Sequence, residues 1–313
     1  MIKAVTISGL AGGVRLDAAL LARFPTTSRA MVRDALSRRA IKVNGRFISK
    51  GTKLKGDETI YIEELLESKD NLVEPGLLPL SIDECYADND LLAYDKPSGI
   101  PVQPLDCRET GTLMNHVVSL HPECRPLGDL PLMAGALHRI DAGTSGLVLV
   151  ARSQAVYDDL RAQFTAQSVK KTYLALVEGE VATGGTLENL LVHDPTLPFC
   201  KMIDFDHNRL TLAQRAKLRP LKAVTRFQPL ARHTVENEVR TLLEVTIYSG
   251  VTHQIRAQLA LAGMHIINDR LYGAFAVEHQ TGFFLHSWKA QFLHPASHDM
   301  VEIATRRPSF AEI

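Results

Sequence analysis

The chain has 313 residues with 35 Lys and Arg against 35 Asp and Glu, and 45% of it is hydrophobic, enough for a large core plus an appended module. Zero net charge excludes indiscriminate polyanion binding by the whole chain, and no apolar run reaches the ~20 residues of a membrane span. Cys85, Cys107, Cys124 and Cys200 form no C-x-x-C pair, which argues against a disulfide framework and a structural zinc site; the N-terminus lacks a signal-peptide pattern, so a soluble cytoplasmic protein is expected.

The even balance hides an asymmetry. Residues 15–62 carry 11 Lys and Arg against 4 Asp and Glu, a surplus of seven, while residues 63–76 carry five acids against Lys69 alone. This shift predicts a small basic module at 13–63, an acidic linker at 64–80 and a larger domain at 81–313, with the module binding nucleic acid. Leu16, Ala19, Leu20 and Phe24 share one stripe of a first helix that Pro25 ends. Ser28 is placed to cap a second helix through Ala35 and Leu36, with Arg29 and Arg33 on its exposed face. Asn44-Gly45 is a strong hairpin signal between short strands at 41–43 and 47–48, and Gly56-Asp57 turns the chain into a strand at 59–62. Arg29, Arg33, Arg38, Arg39, Lys42 and Arg46 are the candidate RNA-binding residues. Taken in order, Arg15-Leu16-Asp17, Ser28-Arg29, Val43-Asn44-Gly45 and Gly56-Asp57 resemble the alpha-L RNA-binding motif, which implies an RNA partner.

Residues 81–313 read as one α+β domain, a mixed and largely antiparallel sheet with flanking helices. Strands are expected at 91–94, 146–151, 170–177, 241–248 and 283–289, with a turn at Lys96-Pro97-Ser98-Gly99. Ser153 is placed to cap a helix whose Val156, Leu160 and Phe164 share a face. A later helix, with Thr252 as its expected cap, turns Ile255, Leu259 and Ala262 inward and ends at Gly263. The stretch 184–219 has weak periodicity and reads as irregular loops. Helices do not alternate with strands, which disfavours a doubly wound parallel sheet.

Three segments of this domain can carry chemistry. In His138-Arg139-Ile140-Asp141-Ala142-Gly143-Thr144-Ser145-Gly146-Leu147 a carboxylate stands at a loop mouth ahead of a buried strand, a place for covalent or acid-base work. Lys171-Thr172-Tyr173-Leu174-Ala175 offers a strand tyrosine, and His253-Gln254-Ile255-Arg256 begins a helix. Alone, Asp141 fits a turn, Tyr173 a core position and Arg256 a helix surface.

Together these segments resemble the RluA-type pseudouridine synthases. So do Asp95-Lys96-Pro97-Ser98-Gly99, Gly263-Met264-His265, Asp269-Arg270-Leu271-Tyr272-Gly273, Leu285-His286-Ser287 and His294-Pro295, so that the likeness spans most of residues 85–297. The resemblance implies isomerisation of uridine in structured RNA, with large-subunit ribosomal RNA the leading substrate and no metal or cofactor; nothing in the sequence suggests an obligate interface, so a monomer is expected. It implies Asp141 as nucleophile, Arg256 as the ion-pair partner that keeps it charged, and Tyr173 stacked on the uracil and assisting proton removal from C5. Ile255 would wall the base pocket, and Arg139 would stack in the gap left by the extruded base. His138 would hold the loop, and Lys96 would either touch a phosphate or brace the loop. Two departures from the family pattern are Val251, where a basic residue is usual, and Asn268, where glycine is common. Two alternatives remain at this stage: the same reaction on transfer RNA, and a non-catalytic RNA-binding or ribosome-assembly factor on the same scaffold.

Overall fold

The computed structural model describes residues 1–49, 51–67, 71–206, 210–235, 238–274 and 281–312, so the charges at Lys50, Lys69 and Asp70 lie outside the described residues. The chain divides into two units. One comprises residues 1–74 with 105–109 and 130–132, and the other comprises the rest.

The first unit runs β1 (Ile2–Ile7), α1 (Leu16–Arg23), α2 (Arg29–Ser37), β2 (Ile41–Val43) and β3 (Ile60–Leu65). Strand β3 lies between β1 and β2 in an antiparallel sheet. The apolar spacing does what it predicts: Leu16, Ala19 and Leu20 of α1 and Val32 and Ala35 of α2 are buried with Ile41, Ile60 and Ile62. Ser28 accepts a hydrogen bond from the Met31 N–H at 3.2 Å, a cap that contributes about 1 kcal/mol. At the hairpin turn Asn44 and Gly45 have φ of +47° and +77°, a left-handed pair that Asn-Gly adopts with little strain. Three boundaries differ from expectation. Strand β1 precedes residue 13; Phe47-Ile48 does not pair as a strand; and β3 continues through Leu65, with Leu66 buried behind it. The first residues of the acidic stretch are therefore packed in this unit, because Leu65 and Leu66 bury while the neighbouring acids stay at the surface.

The second unit contains β4 (Asp83–Ala87), β5 (Leu91–Lys96), α3 (Leu113–Leu120), β6 (Ser145–Ala151), α4 (Gln154–Thr165), β7 (Lys170–Glu178), β8 (Gly185–His193), β9 (Met202–Asp204), α5 (Leu212–Arg215), β10 (Leu221–Val235), β11 (Glu238–Ile247), α6 (Gln254–Leu261), β12 (Leu285–Leu293) and β13 (Met300–Ala304). The strands form one sheet in the order β4-β5-β6-β12-β7-β11-β10-β8-β9, with β13 paired to the part of β12 that follows its contact with β6. Among the described residues β6 and β12 are the parallel neighbours and the other pairs are antiparallel. Helix α4, capped by Ser153 at 3.3 Å to the Val156 N–H, packs Val156, Tyr157 and Leu160 with Leu91, Leu147, Leu149 and Phe292.

Two local expectations are corrected here. Residues 184–219 are not irregular throughout: β8, β9 and the single turn α5 occupy much of the stretch. Strand β8 is largely solvated and pairs its Leu187, Leu190 and Leu191 with β10, so its sequence shows little alternation. Thr252 does not cap α6. His253 takes that position with φ +51° and no side-chain cap, and the Gln254 Oε1 instead accepts from the Val251 N–H (3.2 Å) and the Ser249 hydroxyl (2.9 Å). Helix α6 is buried around most of its circumference. Gln258 donates to the carbonyls of Ala223 and Leu187 and to Asn189 Oδ1, while accepting from the Thr225 hydroxyl at 2.7 Å. With its polar side chains satisfied in this way, burying them carries little penalty. Among the described residues no helix is long and apolar enough to cross a membrane.

Candidate active site

Cross-strand register assembles the site. Ser287 of β12 lies opposite Gly146 of β6 on one side and Tyr173 of β7 on the other. Tyr173 in turn faces Val245 of β11. Gly146 has φ +108°, and a Cβ there would fall 2.2 Å from the Ser287 carbonyl oxygen. Only glycine lets the two parallel strands approach so closely, and the loop carrying Asp141 enters β6 at this crossing. The turn is closed by the Thr144 N–H donating to the Asp141 carbonyl at 3.0 Å.

Asp141 keeps 28% of its side chain exposed, whereas Arg256 of α6 keeps 7% and Asp269 2%. The Arg256 guanidinium donates from Nη1 to Asp141 Oδ2 at 2.7 Å. From Nε and Nη2 it donates to both Asp269 oxygens, at 2.7 and 2.8 Å. Burial pushes the Arg256 pKa down, but hydrogen bonds and charge from the two aspartates reverse this and raise it. The guanidinium also lies 4.0 Å from the Phe283 ring centroid and 5.2 Å from that of Tyr272. This is a charge fixed on all sides. The bidentate pair with Asp269 sets its orientation, and the remaining arm holds one oxygen of Asp141. Among the described residues Oδ1 of Asp141 receives no hydrogen bond. Phe283 packs so near Gly143 that a Cβ at 143 would meet the ring at 2.8 Å.

Tyr173 is buried, and desolvation pushes its phenol up to about 12, with the Asp141 charge adding to the rise and the Ser287 hydroxyl opposing it. At neutral pH it is a protonated phenol, a plate with a donor. Lys171, two residues earlier, projects from the same face of β7. It donates to the Ser249 carbonyl at 2.8 Å, anchoring the turn that leads into α6. The spacing of Lys171 and Tyr173 thus joins a brace to a site residue. Ile255 is buried in α6 immediately before Arg256.

Behind the loop, Lys96 is wholly buried and its ammonium donates to the carbonyls of Pro97 (2.9 Å), Ile100 (2.8 Å) and Ala142 (3.2 Å). Burial pushes its pKa down to about 7 against the opposing pull of Asp141 and Asp95. All three N–H groups being taken, Lys96 braces the Asp141 loop and does not reach an RNA phosphate, which corrects its expected place among substrate contacts. His138 is also a brace: Nε2 accepts the Leu149 N–H of β6 at 3.1 Å, and the ring stacks on Phe164 at 5.3 Å. Burial, aided by the charges of Lys171 and Arg161, lowers its pKa to about 3, so the ring is neutral. Ser145 bonds His286 Nδ1 at 2.8 Å, and His286 Nε2 bonds the Thr305 hydroxyl at 2.7 Å. Arg139 is exposed and makes no ion pair or hydrogen bond among the described residues.

In the first unit Arg29, Arg33, Arg38, Arg39 and Arg46 are exposed and Lys42 is partly so. They are not equivalent. Arg38 is engaged by Asp34 at 2.9 Å and Glu64 at 3.4 Å. Arg39 and Lys42 instead flank the exposed Phe47 ring, at 5.6 and 5.2 Å from its centroid.

The two sequence departures have structural reasons. Asn268 has φ +66°, a left-handed conformation in which Asn is the best replacement for Gly. Val251 packs against Leu191, Met202, Ala223, Ala257 and Tyr272. Sequence reasoning gave no role to Asp269, Phe283, Tyr272, His253 or Lys171. Asp269 and Tyr272 lie in a quoted motif, but their link to Arg256 depends on how α6 packs.

A sheet of this order brings together a carboxylate at a loop mouth, a buried arginine on one of its oxygens and a tyrosine one strand beyond the neighbour, a charged and oriented carboxylate beside an aromatic ring. The chain belongs to the RNA pseudouridylate synthase family, whose model matches residues 90–261, more than half of its length. It is 30% identical over 311 residues to the ribosomal large subunit pseudouridine synthase D of Xanthomonas campestris pv. campestris, covering 95% of this chain and 87% of that protein. The protein of the same name from Neisseria meningitidis serogroup B is 31% identical over 313 residues, covering 96% of this chain and 77% of that one. Human RNA Pseudouridylate Synthase Domain Containing 1 shares the fold, with a TM-score of 0.59 and 21% identity over 75% of this chain and 87% of that one.

Proposed function

We propose that this RNA pseudouridine synthase modifies large-subunit ribosomal RNA in the cytoplasm, as a monomer without metal or cofactor, with Asp141 as its nucleophile. The observation that carries the residue assignment is the pairing of Asp141 through Oδ2: Arg256 holds that oxygen at 2.7 Å, while among the described residues Oδ1 receives no hydrogen bond. The reaction breaks the N1–C1′ bond and forms C5–C1′; C5 loses a proton and N1 carries one in the product, so no electrons are exchanged with a partner. Attack at the sugar, attack at the base, and proton abstraction from the sugar each require a charged, oriented carboxylate. Tyr173 holds the uracil while it turns, and Arg139 takes the space of the extruded base, offsetting part of an unstacking cost of a few kcal/mol. The names of the relatives favour ribosomal over transfer RNA as substrate. Residues 1–74 supply a basic surface for the same RNA. The non-catalytic reading loses its support, since Asn268 and Val251 each fit their places and Asp141, Tyr173 and Arg256 are all present.

The test is pseudouridine mapping of ribosomal and transfer RNA from cells with and without the protein, with Asp141→Asn as the complementing variant. One or more large-subunit uridines should lose modification in the deletion and stay unmodified with Asp141→Asn. Loss confined to transfer RNA would overturn the substrate, and full rescue by Asp141→Asn would overturn the nucleophile.

A further inference from the structure

His253 stands in a backbone conformation that few residues other than glycine adopt. Its φ of +51° and ψ of +20° are left-handed, and its side chain caps nothing. Left-handed non-glycine residues are uncommon, with Asn, Asp and His the enriched types, and they cluster where the side chain is used. Its imidazole is mostly buried, with Nε2 3.8 Å from Asp141 Oδ2. Nδ1 lies 3.1 Å from the Tyr272 hydroxyl.

The Tyr272 hydroxyl decides which ring nitrogen carries the proton. Its oxygen already accepts the Met202 N–H at 2.8 Å, and among the described residues the hydroxyl has one remaining partner, Nδ1 of His253. A buried hydroxyl that donates to Nδ1 makes that nitrogen an acceptor and leaves the hydrogen on Nε2. We infer that His253 is a positioning residue for Asp141: a neutral imidazole, held by Tyr272 in its Nε2–H form, supplies a second donor to the oxygen that Arg256 grips. This rests on the reading of Asp141 as nucleophile. Burial lowers the imidazole's pKa below its ordinary value; Arg256 and His193 reinforce that, while Asp141 and Asp269 oppose it. At 3.8 Å the contact is longer than a hydrogen bond. Catalytic hydrogen bonds commonly tighten when substrate closes a site, and here closure would bring both donors onto Oδ2 and direct Oδ1 at the uridine. A neutral donor orients the carboxylate without adding a second full charge that would blunt it.

The substitution His253→Asn separates backbone from imidazole, because Asn accepts the left-handed conformation but is too short to replace Nε2. His253→Gln restores an N–H near the Nε2 position. Rates are read as tritium release from ribosomal RNA labelled at uridine C5 and purified from cells lacking the protein. His253→Asn should melt no lower than wild type, lose about tenfold in kcat and keep its KM within twofold, the size expected for one hydrogen bond to a charged group. His253→Gln should recover part of that loss. Tyr272→Phe should lose less than His253→Asn, and the double variant no more than His253→Asn alone. A His253→Asn kcat within twofold of wild type overturns the inference, as does a fully additive double variant for the role of Tyr272. Asp141→Asn is the control. If it turns over at the wild-type rate the nucleophile reading fails, whereas an inactive Asp141→Asn beside a fully active His253→Asn condemns the role of His253 alone. Should His253→Asn fail to fold, the His253→Gln and Tyr272→Phe rates still decide.

Discussion

The cations of the two units are used in opposite ways. In the catalytic unit Arg256 and Lys96 are buried, and each N–H that matters has a named acceptor at 2.7 to 3.2 Å. In the first unit the arginines of residues 29–46 are exposed, and among the described residues those other than Arg38 hold no carboxylate. A buried cation with fixed partners is irreplaceable, because removing it strands the groups it satisfied. An exposed cation contributes to a field that its neighbours also supply, so its loss is small and screened by salt. Substitutions in the two units should therefore differ in size and in kind.

The largest effect is expected at Arg256. Arg256→Met leaves Asp269 buried without its partner, a cost of about 3–5 kcal/mol, and it should also abolish isomerisation. Arg256→Lys is the sharper probe. One ammonium cannot serve both Asp269 oxygens and still reach Asp141, so the protein should fold yet lose at least ~10²-fold in kcat. A Lys variant within tenfold of wild type would break the distinction between an addressed cation and a generic one.

Tyr173→Phe follows. It keeps the plate and removes the hydroxyl, and single-turnover rates should fall about 10²-fold with RNA affinity unchanged. If the rate holds, the ring alone is used. Lys96→Met comes next: it strands the carbonyls of Pro97, Ile100 and Ala142, costing about 1–3 kcal/mol and loosening the Asp141 loop. Its signature is in pH. The folded-state pKa lies near 7 against an ordinary 10.5, so between those values the unfolded chain binds more protons and wild-type stability gains as pH rises. Denaturant titrations from pH 7 to 10.5 should show wild type improving relative to Lys96→Met, and a constant difference would mean that Lys96 keeps its ordinary pKa when buried.

How far these roles were legible follows from the same contrast. The mixed sheet, the Ser28 and Ser153 caps, the Asn44-Gly45 turn and the strands bearing Gly146 and Tyr173 depend on local spacing and were readable along the chain. The meeting of Asp141 with Arg256 was readable only through the family likeness, because 115 residues separate them and nothing local links them. Asp269, Phe283 and His253 were given no role because each contact with Arg256 or Asp141 depends on the packing of α6. The expected inward stripe of Ile255, Leu259 and Ala262 names only part of what that helix buries: Gln254, Arg256 and Gln258 are buried as well, while Ala262 is exposed. Strand β8 escaped for the reverse reason, being too solvated to alternate. For Lys96 the sequence left a phosphate contact and a loop brace both open, because its burial comes from the sheet around it.

His286 tests whether neutral braces behave differently from charged ones. Burial lowers its pKa to about 4. Between pH 6.5 and 4 the unfolded chain gains a proton that the folded ring refuses, so stability is lost as pH falls through that window. His286→Gln should start less stable at pH 7, having lost the Ser145 and Thr305 bonds, but it should decline less on acidification. The shift corresponds to up to about 3 kcal/mol of pH-dependent stability. Parallel curves for the two proteins would show that acid acts elsewhere, His138 being the next candidate with the same sign.

The smallest effects belong to the first unit. Arg39→Ala should weaken RNA binding by less than about 1 kcal/mol and flatten the slope of log K against log salt by roughly one counterion, without changing kcat. Arg38→Ala should change that slope less, because Asp34 and Glu64 already neutralise its charge. It should instead cost a few tenths of a kcal/mol in folding stability as those surface pairs are lost. Phe47→Ala adds a second measure, since Arg39 and Lys42 flank an exposed ring on which an unpaired base can stack. A loss of about 1–3 kcal/mol there, larger than for either arginine, would show that this unit also contains one addressed contact. The contrast between the units would then be one of degree, with Phe47 the point at which shape joins charge.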